Sequence, residues 1–302
     1  AASDVYKRQG LGFDRCSVAV VTNVGNGDHL GLNHIHTAEG VARVKKVIVQ
    51  NVAPTGYAVL NAADPLVADM AEDCPGQIIF FAQDPHHPLL ATHRARGRRV
   101  VFVEKGDVVA AEGKSVQRLP LASVPITYGG KVGFQVENTL AAVAACWGLN
   151  LEWARICEGV SSFVNNADNA PGRFNLMTYR GATVVADYGH NPDAMRALVS
   201  AFNALPIQSG AKRTVVISGA GDRRDEDIRE QTQILGEAFD NVILYEDACQ
   251  RGRADGEVVQ LLRQGLDGAP RTTHIEEIRG EFIAIDRGLS LLRPGDQCLV
   301  LV

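Results

Sequence analysis

The 302-residue sequence predicts an α/β protein with two domains, each built around a mostly parallel sheet. Apolar runs of strand length alternate with segments of helix length nearly throughout, which is typical of parallel α/β architecture. The length suits two domains of ~150 residues each. Residues 165–172, rich in Asn, Asp, Pro and Gly, separate two such patterns and predict an inter-domain linker.

Composition excludes several classes of protein. Hydrophobic residues make up 46% and charged residues 22%, as in globular rather than disordered or fibrous proteins. A net charge of −5 argues against nucleic-acid or membrane partners. No apolar run approaches the ~18–20 residues of a membrane span, and residues 1–10 lack the apolar core of a signal peptide. Six scattered cysteines suit reduced thiols, so we expect a soluble cytoplasmic protein.

The first half predicts a sheet with helices and a hairpin region. Strands are expected at residues 17–23, 57–61, 78–82 and 99–104. Helices are expected at about 37–51, 136–148 and 151–160, the second of them Ala-rich and buried. Short β runs and turns over 98–128 predict hairpins.

The second half predicts a doubly wound domain of alternating strands and helices. Strands are expected at residues 183–187, 214–218, 241–245 and 298–302. Helices are expected at about 192–204, 226–238, 254–266 and 280–291. In such sheets ligands bind beyond the carboxyl ends of the strands, so the residues that follow each strand are the candidates for function.

Both ends of the chain predict a truncated protein. Residues 1–9 are polar, look non-native and lead directly into a core strand, and residues 296–302 are another core strand with nothing after it. We expect 10–171 to be the later part of a first domain. We expect 172–302 to be a second domain without its last elements.

Two short motifs follow strands and are candidates for chemistry. Gly219-Ala220-Gly221 follows a strand, but a dinucleotide fingerprint would need glycine where Arg224 stands, so that interpretation fails. Asp28 and His29 follow the first strand and could bind a metal. With His34 and His36 nearby, a zinc hydrolase is an alternative, although no H-E-x-x-H spacing occurs.

A longer motif points to a family. The run from Asp187 to Ala194, D-Y-G-H-N-P-D-A, resembles the D-Y-A-H-x-P-x-A/S signature of the Mur-type amide ligases. Four more segments follow the order of that family, namely 26–31, 42–45, 137–142 and 171–174. The resemblance covers nearly the whole chain. It implies part of a central ATPase domain with a parallel sheet, followed by a Rossmann-like, doubly wound C-terminal domain.

The resemblance also implies a reaction and residues in the first domain. Family members activate a carboxylate as an acyl phosphate with ATP and Mg²⁺, and an amine then displaces phosphate. His29 matches a histidine ligand of the second magnesium, and Lys45 matches a lysine that is carbamylated beside it. Asn138, at a predicted helix start, matches the residue that hydrogen-bonds adenine.

In the second domain the resemblance implies further nucleotide contacts. Arg173 matches a linker arginine that reaches the phosphates when the domains close. Asp187 matches the carboxylate that contacts ribose, and His190 and Asn191 lie in the nucleotide-facing turn. The predicted catalytic residues are therefore Lys45, His29 and Arg173.

Other segments resemble the branch of the family that joins arginine to aspartate side chains of a growing polymer. They are 12–16, 221–227 and 245–257. The implied partners are ATP, arginine and an aspartate-containing polymer or peptide, in a homo-oligomer. Asp222, Arg223 and Arg224 are candidates to hold arginine or its carboxylate. Glu246 and Asp247 would either pair with a guanidinium or be surface acids.

One family feature does not occur in this sequence. The P-loop G-x-x-x-x-G-K-[ST] is expected upstream of residue 14, so we expect the chain alone to be inactive and its parent protein to be an enzyme. Three alternatives remain open. They are a relative that ligates β-aspartyl-arginine dipeptides, another Mur-type ligase, and a nucleotide- or metal-binding module without catalysis.

Overall fold

The computed structural model describes residues 12–25, 35–246 and 249–302. The chain divides into two compact units between Phe163 and Val164, and each unit contains one six-stranded sheet. The strands are β1 (Cys16–Val21), β2 (Val52–Asn61), β3 (Gln77–Ala82), β4 (Arg99–Glu104), β5 (Asp107–Glu112), β6 (Ser115–Pro120), β7 (Asn175–Tyr179), β8 (Ala182–Asp187), β9 (Arg213–Ile217), β10 (Asn241–Glu246), β11 (His274–Arg279) and β12 (Gln297–Leu301).

The helices connect these strands in the pattern that the sequence predicts. They are α1 (Ala38–Gln50), α2 (Pro65–Ala68), α3 (Pro88–Ala95), α4 (Gly133–Gly148), α5 (Trp153–Ser162), α6 (Pro192–Ala204), α7 (Asp225–Gly236), α8 (Glu257–Gly265) and α9 (Glu281–Ser290). Residues 165–172, predicted as a linker, lie in the second unit, where the Asn165 side chain donates to the carbonyl of Arg173.

The first sheet has the order β1-β2-β3-β4-β5-β6. Strands β1 to β4 are parallel, and β5 and β6 extend the sheet as antiparallel hairpins. At the β4–β5 turn Lys105 and Gly106 both have positive φ, as a tight hairpin turn requires. The predicted hairpin region is therefore confirmed.

Successive side chains of the central strands point to opposite faces of the first sheet, so the first unit has two cores. Phe80 packs into one cluster with residues of α1, α2 and α3, whereas Phe81 packs into the other with residues of α4 and α5. Successive strand residues point to opposite faces, so a sheet covered on both sides needs continuous apolar strands. This explains the apolar run at 78–82 and places helices on both faces.

The second sheet has the order β11-β10-β9-β12-β8-β7, and only β7 is antiparallel. Helices α6, α7 and α8 pack side by side, and α9 packs on the face that carries Val216 and Ile243. The predicted doubly wound domain is confirmed.

Four elements were not predicted, namely helices α2 and α3 and strands β7 and β11. In addition, α4 begins three residues before the predicted 136. Strand β11 (HIEEIR) is charged because it lies at the sheet edge, where charged side chains are common. Helix α3 begins with Pro88 at its first position, which a proline tolerates there.

All six cysteines are free thiols, and burial raises the pKa of the Cys298 thiol to about 12. Within the described ranges, every helix is too short or too polar to cross a bilayer. The carboxyl edge of each sheet, where loops follow the parallel strands, is where ligand-binding residues are expected.

Candidate functional site

At the carboxyl edge of the first sheet, Asp64 organises the loop that follows β1. Its Oδ2 accepts the backbone N–H groups of Val24 and Gly25 at 2.6 and 3.0 Å. Its Oδ1 accepts from Val67 at 3.3 Å and caps α2. One carboxylate therefore ties the loop after β1 to the end of β2. Sequence reasoning missed this residue.

Two neighbouring lysines on α1 have different environments. The half-buried Lys45 donates from Nζ to the carbonyl oxygen of Asn23 at 3.0 Å, which brings it to the loop after β1. Lys46 instead pairs with Asp73 at 2.9 Å. The structure thus places the predicted Lys45, and not its neighbour, at the carboxyl edge.

The predicted metal ligand His29 lies outside the described residues, as do Asp28 and His34 of the alternative metal sites. In the part of the chain that the structure describes, no three His, Cys, Asp or Glu side chains form a metal-binding group. At this edge the Asp64 carboxylate offers oxygen, the ligand atom that suits magnesium, although it already accepts the amides of Val24 and Gly25. Carbamylation of Lys45 stays a prediction.

Asn138 lies in the second turn of α4 rather than at the helix start, because α4 begins at Gly133. Its exposed amide donates to Gln135 at 3.2 Å. Gln83, which follows β3, donates to the carbonyl of Gly133 and to the carboxylate of Glu137. These bonds hold the first turns of α4, and Asn138 with them, beside the end of β3.

In the second unit, Asp187 ends β8 and fixes the backbone that precedes β7. Its Oδ2 accepts the N–H of Phe174 at 2.8 Å. Burial raises the pKa of the Asp187 carboxyl above its usual value, although the amides of Phe174 and Gly189 partly offset this effect. A carboxylate held in this way is an acceptor of perturbed pKa at a ligand-binding edge.

Tyr188 connects two predicted site residues. The guanidinium carbon of Arg173 lies 5.4 Å from the centre of its ring, as in a cation–π contact. His190 lies edge-on to the same ring at 5.3 Å, with Nδ1 3.0 Å from the carbonyl oxygen of Tyr188. The structure therefore brings Arg173, Asp187 and His190 together around one exposed tyrosine.

Asn191 has a structural task at this turn. It is the N-cap of α6, and its Oδ1 accepts the N–H of Ala194 at 2.8 Å. Pro192 follows at the first helical position, so the Asn-Pro pair explains how the helix begins. The nucleotide role of Asn191 stays a prediction.

The loops after β9 and β10 pack directly on each other. A Cβ on Gly221 would lie 2.1 Å from the carbonyl oxygen of Gln250, so only glycine fits there. Close approach of the second loop therefore explains the second glycine of the G-x-G that failed the dinucleotide test.

Arg253 links the same two loops through its guanidinium. It donates to the carbonyls of Gly221 and Arg223 at 2.8 and 2.7 Å. It also donates to the carboxylates of Asp225 and Glu257 at 2.8 and 2.6 Å. Sequence reasoning missed this residue, and its only signal was an R-G-R run after a strand.

The candidate substrate residues differ in their contacts. Asp222 binds Arg251 through both carboxylate oxygens, at 3.1 and 3.3 Å. Arg223 is buried, with 6% of its surface exposed. Arg224 pairs with Asp227 and Glu226 of its own helix, so its guanidinium is engaged locally.

Glu246 ends β10, and its carboxylate accepts the N–H of Gly256 at the start of α8. Asp247 lies outside the described residues. A guanidinium as the partner of Glu246 or Asp247 stays a prediction.

Comparison with known proteins identifies both units. The model of the Mur ligase middle domain matches residues 3–146, and that of the Mur ligase, glutamate ligase domain, matches residues 172–301. Cyanophycin synthetase of Synechocystis sp. is 39% identical over 283 residues, which are 93% of this chain and 32% of that protein. The UDP-N-acetylmuramoyl-L-alanyl-D-glutamate--2,6-diaminopimelate ligase of Chlorobaculum tepidum is 26% identical over 289 residues, which are 93% of this chain and 53% of that protein. The chain spans about a third of the length of the cyanophycin synthetases it matches.

Solved structures share the fold. E. coli FolC in complex with ADP has a TM-score of 0.66 at 22% identity, covering 95% of this chain and 59% of that one. A bifunctional folylpolyglutamate synthase/dihydrofolate synthase from Yersinia pestis, complexed with AMPPNP and Mn ion, has a TM-score of 0.66 at 18% identity, with 97% and 62% covered. The predicted fold class is thereby confirmed.

Proposed function

The chain belongs to the Mur ligase family, and from that premise we propose that its protein is an ATP-dependent carboxylate–amine ligase. The substrates proposed are arginine, as the incoming amine, and an aspartate side-chain carboxylate of a polymer or peptide. The observation that carries the proposal is the 39% identity to a cyanophycin synthetase over 93% of the chain. The residues that follow the parallel strands support it.

The proposed reaction has two successive steps. A carboxylate oxygen of the aspartate side chain attacks the γ-phosphorus of ATP, so that an acyl phosphate forms and ADP leaves. The α-amine of arginine then attacks the acyl carbon, loses a proton, and displaces phosphate. The products are an amide, ADP and phosphate. Magnesium, when bound, neutralises charge on the transferring phosphoryl group.

We assign the residues of the first unit to the phosphates and the adenine of ATP. Lys45 and His29 are proposed to act at the metal, with Lys45 placed at the carboxyl edge by its bond to Asn23. Asn138 is proposed to hydrogen-bond adenine. Its amide is exposed, and the bonds of Gln83 hold the start of α4 beside the end of β3.

We assign the residues of the second unit to nucleotide and arginine. Arg173 is proposed to bind phosphate and Asp187 to accept hydrogen bonds from ribose, in the turn that contains His190 and Asn191. The Asp222–Arg223–Arg224 segment is proposed to bind arginine. Of these, Arg223 is buried, and two acids of α7 already hold the guanidinium of Arg224.

The raised pKa of Asp187 makes nucleotide binding depend on pH. A carboxylate that accepts ribose hydroxyls must be ionised, so ATP affinity should be constant above its pKa and fall as pH drops through it. Because burial raises this pKa above the ordinary 3.8, the fall should begin at a higher pH than for a free aspartate. Asp187→Asn should lower ATP affinity about tenfold at neutral pH and abolish this part of the pH dependence.

Calorimetric titration of ATP between pH 5 and 8 checks this, with the variant beside the wild type so that protonation of the ATP phosphates cancels. The exposed Asp286 on α9 provides the control Asp286→Asn. Equal ATP affinity and equal pH dependence of Asp187→Asn and the wild type would remove Asp187 from the nucleotide site.

The proposed function is tested on the protein expressed from its complete gene. Phosphate and ADP should form only when ATP, arginine and an aspartate-containing acceptor are all present. Formation of AMP and pyrophosphate, or nucleotide hydrolysis indifferent to arginine, would contradict it. A cytoplasmic location and a homo-oligomer stay predictions.

A further inference from the structure

The exposed Arg251 forms an ion pair with the Asp222 carboxylate at the carboxyl edge of the second sheet. The Arg251 guanidinium contacts both oxygens of Asp222, at 3.1 and 3.3 Å. The side chain of Arg251 is 45% exposed, whereas that of Asp222 is 28% exposed. The acid is therefore the enclosed partner, and the guanidinium is the one open to solvent.

The backbone around Arg251 is held on both sides, and its own conformation is strained. Gln250 packs on Gly221, and Arg253 donates four hydrogen bonds to the neighbouring loop, to the first residue of α7 and to α8. Between them Arg251 has φ of +48°, a left-handed conformation unfavourable for a residue with a side chain. Such strain is concentrated at ligand clamps and switches.

We propose that the Asp222 carboxylate is a seat, that is, a binding site, for the guanidinium of the incoming arginine, and that Arg251 occupies this seat until the substrate displaces it. The proposal rests on the proposed function, because only an arginine substrate brings a second guanidinium to this edge. Arg251 is then an internal stand-in for the substrate side chain.

The geometry favours the exchange. Arg251 reaches both oxygens of Asp222 through the single nitrogen Nη1. A free arginine can present two nitrogens in parallel to the two oxygens, the stronger arrangement, without a left-handed backbone. An exposed ion pair such as Asp222–Arg251 is weak and is readily displaced. A lysine ammonium cannot form the two-nitrogen contact, so the seat also selects arginine.

Calorimetry on the protein expressed from its complete gene tests the seat with three ligands. L-arginine carries guanidinium and carboxylate, agmatine lacks the carboxylate, and L-citrulline replaces the guanidinium with a neutral group of the same shape. The variants are Arg251→Gln and Asp222→Asn. The matched control is Arg279→Gln, since Arg279 forms an exposed pair with Asp255 in the same unit.

Removal of the stand-in should tighten binding. Arg251→Gln should bind both L-arginine and agmatine about twofold to fivefold more tightly than the wild type. Asp222→Asn should weaken L-arginine about tenfold and nearly abolish its advantage over L-citrulline. The control should stay within about twofold of the wild type for each ligand. If Arg251→Gln fails to fold, Arg251→Lys should tighten binding in the same direction.

Three outcomes separate the possibilities. Weaker L-arginine binding by Arg251→Gln, with agmatine unaffected, would mean that Arg251 binds the substrate carboxylate and would overturn the seat. An unchanged preference of Asp222→Asn for arginine over citrulline would overturn it as well. If the wild type binds arginine through Asp222 but forms no phosphate from ATP, the seat is supported and the proposed function is contradicted.

Discussion

Replacement of Lys45 by methionine is expected to lower the rate of arginine-dependent phosphate release by about 100-fold or more. Methionine nearly keeps the length of the side chain and removes the amine that reaches the carbonyl of Asn23 in the loop after β1. In the proposed function this amine, once carbamylated, acts beside the metal and the transferring phosphoryl group. Its loss should therefore affect the chemical step much more than folding.

The neighbouring lysine provides the matched control. Lys46→Met removes a surface ion pair with Asp73, which contributes little to stability, and should leave the rate within about threefold of the wild type. Phosphate release under saturating ATP measures both variants, and thermal unfolding verifies that each is folded. Equal rates for the two variants would exclude Lys45 from the reaction.

Replacement of Gly221 by alanine is expected to separate the loops after β9 and β10. The new Cβ would lie 2.1 Å from the carbonyl oxygen of Gln250, and a backbone atom cannot rotate away as a side chain can. We expect a loss of about 1–3 kcal/mol in the free energy of unfolding of the second unit. Displacement of the bonds made by Arg253 should also weaken arginine binding.

Gly159→Ala is the control, because no atom lies within 4 Å of its Cβ position and the residue is exposed within α5. It should stabilise the first unit by up to about 1 kcal/mol. Urea unfolding of both variants measures the difference. A Gly221→Ala protein as stable as the wild type would mean that the contact between the two loops is not tight.

Much of the fold could be predicted because the core strands are apolar on both sides. The run at 78–82 must contribute side chains to two cores, and Phe80 and Phe81 show this division. The edge strand β11 could not be found in this way, because one side of it faces solvent and its sequence is largely charged.

The site was predictable only where local sequence carries the information. The turn from Asp187 to Asn191 makes several of its hydrogen bonds within a few residues, including the cap of α6. Local sequence could also have explained Arg224, since acids two and three residues later pair with it. The contacts of Arg253 with backbone carbonyls about thirty residues away depend on the packing of two loops, which no local pattern reports.

The most direct test of the central claim follows one oxygen atom. An acceptor with ¹⁸O in its aspartate carboxylates is incubated with ATP, magnesium, arginine and the protein expressed from its complete gene. An acyl phosphate transfers one labelled oxygen to the phosphate that the amine displaces, so the released phosphate should carry one ¹⁸O atom per amide formed. Amide formation with unlabelled phosphate, or with label in AMP, would contradict the account.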